Sequence, residues 1–342
     1  MKPTIRDVAR QAGVSPSTVS LVLNNRSGIS KETREVVLEA VETLGYIITK
    51  RLPSDTREVI CFLKIIRHGH ILNRDHNEFI SDYIEGIQQE AGASEMSLEV
   101  RNYTKTEIPD ILADLEDTPY KGLIVLATEL TPADIEYFNT VQLPVVFIDT
   151  SHPILPFDFV DMDNEGAVYS LVKTFIEQGH TKIGLIAAAR ETKNFNLRKR
   201  YFLDAMQYFE LPVDNRWIIT ADSTLEQSYV DIRPQIEKLQ DHLPTALFCV
   251  CDIIAYGALK ALSEIGLVVP DDIAVIGFDN LISSQITNPP LSSVQVSKRS
   301  IGATAFQLLQ RRIEKQEELP YEKIFIGGSL IKRESLGSRI QE

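Results

Sequence analysis

The sequence predicts a small all-α head followed by a larger α/β body, which consists of two parallel-sheet halves with helices on both faces. Three observations predict this organisation. Residues 1–48 carry three short helical patterns and no strand pattern. From residue 59 onward, apolar strand-like runs alternate with amphipathic helices. The length of 342 residues suits two or three domains rather than one.

Composition argues against several classes of protein. Hydrophobic residues make up 44% of the chain, which is enough for a sizeable core. No apolar run reaches the roughly 18 residues needed to cross a membrane, and the first residues lack the apolar segment of a secretory signal. Three cysteines are too few for a disulfide framework in a chain of this length. We therefore expect a cytoplasmic protein without a membrane partner.

Charge is divided unevenly along the chain. The net charge is −13, but residues 1–52 carry 8 Lys and Arg against 5 Asp and Glu, a balance of +3. The remaining residues must then carry −16. A basic head attached to an acidic body can approach a polyanion while the body avoids non-specific contact with it.

Caps and apolar spacing predict three helices in the head. Thr4 is a suitable N-cap for the first helix, and Gly13 ends it. Ser15 caps the second helix and Pro16 occupies its first position, where the missing N–H costs nothing. The third helix is capped by Ser30. The predicted buried faces consist of Val8, Ala9, Ala12, Val19, Val22, Leu23, Val36, Val37, Ala40, Val41 and Leu44.

A polar, basic stretch with one proline, residues 49–58, is predicted to be a linker before the body at 59–342. Continuous apolar strands separated by helices are typical of parallel sheets covered on both faces. Ligands bind such sheets beyond the carboxyl ends of the strands, so we expect a cleft between the two halves. The strand candidates are 59–65, 122–127, 144–149, 182–187, 246–250 and 273–278, and the helix candidates are 79–92, 131–140, 164–178, 198–209, 253–265 and 298–315.

The first two head helices have the pattern of a helix-turn-helix unit, because they are short and joined by a tight turn with a glycine. The second helix of such a unit enters the major groove of DNA. Its outward face carries Ser17, Thr18, Ser20 and Leu21. Small hydroxyls allow close approach to phosphates and bases, and a leucine can contact a thymine methyl group. A plain helical hairpin is the alternative, but the basic balance and the third helix favour DNA binding.

Longer stretches resemble the LacI/GalR family of bacterial transcription regulators. The head carries "TIRDVARQAGVSPSTVSLVLNN" and "TREVVLEAVETLGYI". The body carries "VDMDNEGA", "FIEQGHTKIGLI", "VVPDDIAVIGFDN", "PPLSSVQV" and "LIKRESL", in the order of the family. The resemblance implies a periplasmic-binding-protein-like body that also dimerises. It further implies a homodimeric regulator, most often a repressor, that binds a near-palindromic operator in double-stranded DNA. A small-molecule effector, expected to be a sugar or sugar derivative, would bind between the halves and change DNA affinity.

The resemblance also places the DNA contacts. Base-reading positions of the family fall on Pro16, Ser17 and Leu21. Its phosphate-contacting positions fall on Ser15, Thr18, Ser20, Asn24 and Ser30, and the predicted DNA-binding set also includes Thr4 and Ile5. Members usually have a proline and a hinge helix after the position of Tyr46, with a leucine that wedges into the minor groove. Here "YIITKRLPSD" lacks that proline, and Leu52, directly before a proline, is the candidate wedge.

The family's effector positions fall on Phe79, Asp149, Asn194, Arg198 and Asp279. The guanidinium of Arg198 and the carboxylate of Asp279 can together bind vicinal hydroxyls, and the ring of Phe79 offers an apolar face. The alternative role of Arg198 is a surface salt bridge. We expect the first half of the body to comprise 59–160 plus 292–322. The second half is expected to comprise 161–291 plus 323–342.

Two other interpretations stay open at this point. One is an α/β enzyme, but the sequence shows neither a nucleophile–base pair nor a cofactor loop. The other is a sugar-binding module without DNA function, which would have no use for the head. The segment "RHGHILNRDH" brings His68, His70, Asp75 and His76 together, yet the spacing matches no zinc pattern. Ligand contact or solvation is favoured there, and neither a metal nor a cofactor is predicted.

Overall fold

The computed structural model describes residues 5–23, 30–44, 57–239, 242–315 and 319–337. The chain divides into two compact units, Met1–Thr56 and Arg57–Glu342. The division falls inside the predicted linker, and the two units correspond to the predicted head and body.

Three helices form the first unit. Gly13 ends the first helix with a φ of +65°, a left-handed conformation that glycine adopts at no steric cost. Ser15 caps the second helix, because its hydroxyl accepts a hydrogen bond from the backbone N–H of Thr18 at 3.1 Å. The helices are α1 (Ile5–Ala12), α2 (Pro16–Leu23) and α3 (Lys31–Thr43).

The three helices share one small apolar core. It consists of Val8, Ala9, Ala12, Val19, Val22, Val37 and Ala40, with Val14, Val41 and Leu44 packed against it. The prediction that Val36 is a core residue is wrong, since its side chain is 46% exposed. Neighbouring positions on a helix point about 100° apart, so the burial of Val37 turns Val36 towards solvent. The side chain of Leu23 lies outside the described part of the chain.

Two six-stranded sheets form the body. The first sheet is entirely parallel, with the spatial order β11 (Lys323–Ile326), β5 (Asp158–Met162), β4 (Val145–Ile148), β3 (Tyr120–Leu126), β1 (Val59–Ile66) and β2 (Ser97–Thr104). The second has the order β12 (Ser329–Ile331), β10 (Ser292–Gln295), β9 (Ala274–Phe278), β8 (Ala246–Cys249), β6 (Ile183–Ala188) and β7 (Ile218–Ala221). Its strands are parallel except the edge strand β12, which is antiparallel to β10.

Helices cover the sheets on both faces, as the buried runs of the strands predict. In β1, Ile60 and Phe62 pack in one apolar cluster while Cys61 and Leu63 pack in another, since successive side chains of a strand point to opposite faces. No helix in the described part of the chain is long and apolar enough to span a membrane. The body helices are α4 (Asn77–Ala93), α5 (Ile108–Ala113), α6 (Pro132–Glu136), α7 (Asn164–Glu177), α8 (Lys193–Tyr208), α9 (Leu225–Glu237), α10 (Asp252–Glu264) and α11 (Lys298–Glu314).

The expected boundaries of the two halves need correction at residue 161 and near the end of the chain. The second half was expected to begin at 161, but β5 (Asp158–Met162) lies wholly in the first sheet. The expectation that all of 292–322 belongs to the first half is wrong, because its strand β10 pairs with β9 in the second sheet. The expectation that all of 323–342 belongs to the second half is wrong too, because its strand β11 pairs with β5 in the first sheet. After β10 the chain passes to the first half for α11 and β11 and then returns for β12.

Two glycines bring helices α4 and α11 of the first half into backbone contact. A Cβ atom on Gly86 would lie 2.1 Å from the carbonyl oxygen of Arg299. A Cβ atom on Gly302 would lie 2.2 Å from the carbonyl oxygen of Tyr83. Real atoms do not approach so closely, so any larger residue at either position must push the two helix backbones apart.

We expect Gly86→Ala and Gly302→Ala each to lower the free energy of unfolding by roughly 1–3 kcal/mol, the usual cost of overpacking. Gly92→Ala is the matched control, because it lies on α4 with no atom within 4 Å of the added Cβ. The control should be neutral or stabilising by up to about 1 kcal/mol. Urea unfolding measures the stability of all three variants. Wild-type stability of Gly86→Ala and Gly302→Ala would show that α4 and α11 are not in tight contact.

Candidate functional site

The predicted DNA-binding residues of the described head lie at the starts of helices. Ser15 and Pro16 at the start of α2 are exposed, and the hydroxyl oxygens of Ser15 and Thr18 are 2.9 Å apart. Ser30 precedes α3, and its hydroxyl accepts a hydrogen bond from the N–H of Thr33 at 3.2 Å. The side chains of Ile5, Ser17, Ser20 and Leu21 are outside the described part, as are the residues Thr4, Asn24 and Leu52.

Five side chains predicted as effector contacts surround one cavity in the body. The first half contributes Phe79 from α4 and Asp149 from the end of β4. The second half contributes Asn194 and Arg198 from α8 and Asp279 from the end of β9. All five are more than nine-tenths buried. The volume of this cavity is about 30 Å³, close to the share of one water molecule in the liquid. A ring-sized molecule therefore fits only if the surrounding groups separate.

Two of these aspartates have unusual backbone conformations. Asp149 has a φ of 62° directly after β4, and Asp279 has a φ of 111° directly after β9. Positive φ values are uncommon outside glycine and persist where the surrounding structure enforces them. Both residues therefore turn out of the carboxyl end of a parallel strand, which is where α/β sheets bind ligands.

The amide of Asn194 connects the halves inside the site. Its Nδ2 lies 3.1 Å from the carbonyl oxygen and 3.2 Å from the Oδ1 of Asp149, and 3.1 Å from the Oδ1 of Asp161. Its own Oδ1 accepts a hydrogen bond from the Nδ2 of Asn164 at 2.9 Å. One side chain of the second half thus donates to two carboxylates of the first half.

Burial is the largest cause of the raised pKa values of Asp149 and Asp161. It raises the pKa of Asp149, although hydrogen bonds from the hydroxyls of Thr128 and Tyr83 oppose the rise. Burial, with the nearby negative charge of Asp149 as second cause, raises the pKa of Asp161 to about 7. Near neutral pH the pair therefore holds part of its protons, which limits the repulsion between the two carboxyl groups.

The guanidinium of Arg198 is fixed by acceptors of the protein. Its Nε donates to the Oδ1 of Asn164 at 3.0 Å, its Nη1 to the carbonyl oxygen of Val250 at 2.6 Å and its Nη2 to the sulfur of Met162 at 2.8 Å. The Cζ atom lies 3.8 Å from the centre of the Phe278 ring. Arg198 is 2% exposed, so the alternative of a surface salt bridge is wrong, and the expected donor fork is already engaged.

Asp279 has one oxygen without a hydrogen-bond donor among the described residues. This atom, Oδ1, lies 3.4 Å from the Nη1 of Arg198 but outside hydrogen-bond geometry. The Nζ of Lys298 donates to the backbone carbonyl of Asp279 at 2.8 Å rather than to its carboxylate. Burial raises the pKa of Asp279 to about 7, against the opposing charge of Arg198.

His76 brings a second unpartnered atom to the same cavity. Its Nδ1 lies 3.4 Å from the Oδ1 of Asn73, and that oxygen also accepts the N–H of Asp75 at 2.8 Å. An amide oxygen only accepts, so the network assigns the proton to Nδ1. Burial lowers the pKa of His76 to about 4. Its Nε2 is then an unprotonated acceptor, and no donor reaches it from the described residues.

The other histidines of the segment lie at the rim of the cleft. His70 Nδ1 and the Oδ2 of Asp222, in the second half, are 3.0 Å apart, and the hydroxyl of Ser223 donates to the His70 carbonyl at 3.1 Å. His68 Nδ1 lies 3.2 Å from the carboxylate of Glu129. The described residues contain no group of three side chains suited to a metal ion.

Three polar residues in or next to the cleft were not among the predicted contacts. Thr128 and Asp161 lie at the carboxyl ends of β3 and β5, so the rule that singled out strand ends would have found them. Thr192 caps α8, and its hydroxyl accepts the N–H of Phe195 at 3.3 Å. His76 belongs to the histidine-rich segment for which ligand contact or solvation was expected, and its side chain lines the cavity.

The comparisons with known proteins agree with this architecture. Residues 4–48 match the model of the bacterial regulatory proteins of the lacI family, and residues 172–336 match the periplasmic binding protein-like domain. The chain is 31% identical over 344 residues to the HTH-type transcriptional repressor PurR of Haemophilus influenzae (strain PittEE), covering 98% of this chain and 99% of the relative.

Solved structures share the fold over most of the chain. The lac repressor dimer bound to operator and the anti-inducer ONPF has a TM-score of 0.72 at 24% identity, covering 98% of this chain and all of that one. A regulatory protein of the LacI family from Chloroflexus aggregans has a TM-score of 0.70 at 26% identity, covering 82% and 98%.

A helix-turn-helix head followed by a two-sheet body with a ligand-type cleft defines a DNA-binding transcription regulator rather than an enzyme. The chain belongs to the LacI family of bacterial transcription regulators, and the relatives that it matches over their whole length are repressors.

The raised pKa of Asp161 generates a prediction about stability. The folded protein keeps the proton up to a pKa of about 7, whereas the ordinary value is 3.8. Folding therefore takes up a proton between these values, and the free energy of unfolding falls as pH rises through that window. Asp161→Asn should be more stable than wild type by roughly 1–3 kcal/mol above about pH 8.

This advantage should shrink towards zero below about pH 5, where the carboxyl group is protonated in the folded wild type. Asp117→Asn, at an exposed acid, is the matched control and should show no such pH dependence. Urea unfolding across the pH range measures all three proteins. A constant difference between Asp161→Asn and wild type would contradict the assignment.

Proposed function

We propose that this repressor binds a near-palindromic operator as a homodimer and is controlled by a small carbohydrate effector in the cleft of the body. The observation that carries the proposal is the single cavity surrounded by the five side chains at the family's effector positions, contributed by both halves. Aromatic faces, carboxylates and amides are the groups that hold sugar rings and their hydroxyls.

Several features support DNA recognition by α2. Residues 1–52, the head with the start of the linker, have a charge of +3, while the rest of the chain carries −16. This difference favours contact of a polyanion with the head and the start of the linker. Ser15 and Pro16 are exposed at the N-terminal end of α2, the end of a recognition helix that contacts base edges. Leu21 occupies a base-reading position by resemblance, and we assign it a sequence-specific contact.

Exposed apolar side chains on the second half support the homodimer. Leu225 is 50%, Ile282 67% and Ile286 81% exposed. Between the last two, the hydroxyl of Ser284 contacts that of Tyr256 at 2.7 Å, and a groove of about 720 Å³ runs along Tyr256 and Leu225. Apolar groups gathered in this way are commonly covered by a partner, and a second copy would cover them.

Leu21→Arg should change which DNA sequence is preferred more than it changes binding to random DNA. A base contact carries sequence information, whereas an added positive charge raises affinity for any DNA. Leu38→Arg is the matched control, because it adds the same charge at a 47% exposed position on α3.

Selection from a random DNA library, read by sequencing at two salt concentrations, gives the preference of each variant. The control should keep the wild-type preference, and binding should weaken steeply with salt in all proteins. Identical preferences for Leu21→Arg and wild type would remove Leu21 from the base-reading set. Failure of the wild-type protein to bind any sequence selectively would contradict operator binding.

Arg198→Ala and Asp279→Ala should each weaken effector binding more than tenfold, which corresponds to about 1.5 kcal/mol or more for a partner of a largely buried ligand. Arg200→Ala is the control, because Arg200 lies on the same helix but is exposed. Thermal shift with a panel of sugars identifies the effector, and operator affinity with and without it then measures the response. A full response in either cavity variant would remove that residue from the site.

A further inference from the structure

The two edge strands of the first sheet differ in how well charge protects them. Strand β2 carries Glu99 and Arg101, and charged side chains commonly keep an edge strand from pairing with another chain. Strand β11, at the opposite edge, has the sequence "KIFI", and its Phe325 is 54% exposed. The ammonium group of Lys323 donates to two backbone carbonyls of the loop before β5, so this charge is held by the fold. Strand β11 is therefore the apolar and less protected edge.

The backbone of β11 determines what can bind along this edge. The carbonyl oxygen of Ile326 accepts the N–H of Asp163, directly after β5, at 2.9 Å. Because backbone groups of successive residues in a strand point to opposite sides, Lys323 and Phe325 direct theirs away from β5. No described strand pairs with that side of β11. N–H and C=O groups at this spacing are matched by another extended backbone.

An apolar groove of about 460 Å³ lies at the amino end of β11. Tyr321 lines it and lies two residues before β11, so the groove begins where the edge strand begins. Most of its lining residues are apolar or aromatic, among them Phe138, Val141, Leu143, Pro144, Phe157 and Leu319. A groove with this lining suits an apolar side chain.

The two charged residues of the groove pair with each other. The Nε and Nη2 of Arg312 lie 2.6 and 2.7 Å from the two carboxylate oxygens of Asp158. Arg312 also donates to the carbonyl oxygens of Leu319 and Pro320, at 2.8 and 2.7 Å, which fixes the segment that leads into β11. Since Asp158 and Arg312 are the only charged lining residues and neutralise each other, the groove favours an uncharged occupant.

We propose that the edge of β11 and this groove form a docking surface for an extended segment of a partner protein. The segment adds a strand to the first sheet beside β11 and places an apolar side chain in the groove. Ile154, Tyr321 and Phe325 are 91%, 57% and 54% exposed, and they favour β-branched or aromatic residues in that segment. None of the residues that line the groove lines the cavity of the cleft, so the proposal is independent of the effector.

The probe is a peptide of about ten residues, the upper length of a common strand, selected from a displayed random library on the full-length protein. Phe325→Lys adds a charge to the edge, and Tyr321→Ser removes a wall of the groove. Each should weaken binding of the selected peptide at least about tenfold in calorimetry. Val100→Lys, at a 38% exposed position of β2, and Tyr137→Ser, at a 49% exposed tyrosine outside the groove, are the matched controls and should bind as wild type. Circular dichroism shows that each variant is folded.

Methylation of single peptide nitrogens tests the extended conformation. In an added strand, every second N–H of the peptide faces β11 and the others face away. Methylating the nitrogens that face β11 should weaken binding at least about tenfold, whereas methylating those between them should have little effect. A helical or irregular peptide does not produce this alternation.

Three outcomes would overturn the proposal. The first is a library that yields no peptide sensitive to both Phe325→Lys and Tyr321→Ser. The second is a sensitive peptide whose methylation series shows no alternation, because the occupant is then not a strand. The third is a wild-type protein that sediments as a larger assembly than Phe325→Lys, which would assign the edge to a second copy of this chain.

Discussion

The cleft depends on the hydrogen bonds of one side-chain amide, that of Asn194. It brings N–H donors from the second half to a place where two carboxylates of the first half, Asp149 and Asp161, lie within 3.2 Å of the same nitrogen. Without this donor, the two buried carboxyl groups would repel each other more strongly. Arg198 follows on the same face of α8, because residues four apart on a helix lie one above the other. One helix thus supplies both the neutral donor and the cation that these acids require.

The arrangement follows from how parallel sheets end. Strands β4 and β5 of one sheet and β9 of the other carry an aspartate at or near their carboxyl ends. The chain must pass between the sheets to complete each of them, so the two sets of strand ends are held face to face. The left-handed backbone of Asp149 and Asp279 turns each carboxylate out of its strand. The acids meet because of topology, and their raised pKa values follow from the burial that topology imposes.

The same features set the limit of prediction from the sequence. Six interior or near-interior strands were predicted because they are continuous apolar runs, and five of the site residues were placed by resemblance. Strand β2, "SLEVRNYT", was missed because it lies at a sheet edge and mixes polar with apolar residues. Strand β5, "DFVDM", was missed because it carries two acids, one of which pairs with Arg312 at 2.6 Å. Which sheet β10 and β11 join is set by pairing with strands distant in sequence, β9 and β5. The local sequence of β10 and β11 carries no signal for this pairing.

The hydrogen bonds in the interior of the cleft are buried, whereas the contact between the halves at its rim is partly exposed. Glu129 fixes the loop after β1. Its carboxylate accepts hydrogen bonds from the backbone N–H groups of five residues between Arg67 and Leu72. That loop reaches across the cleft, where His70 contacts Asp222 with its side chain 35% exposed. A partly exposed contact of this kind is worth about 0.5–1.5 kcal/mol, far less than the buried network behind it. A ligand that favours one separation of the halves by a few kcal/mol can therefore change the rim without dismantling the interior. If operator binding distinguishes the same two arrangements, linkage requires operator and effector to change each other's affinity by the same factor.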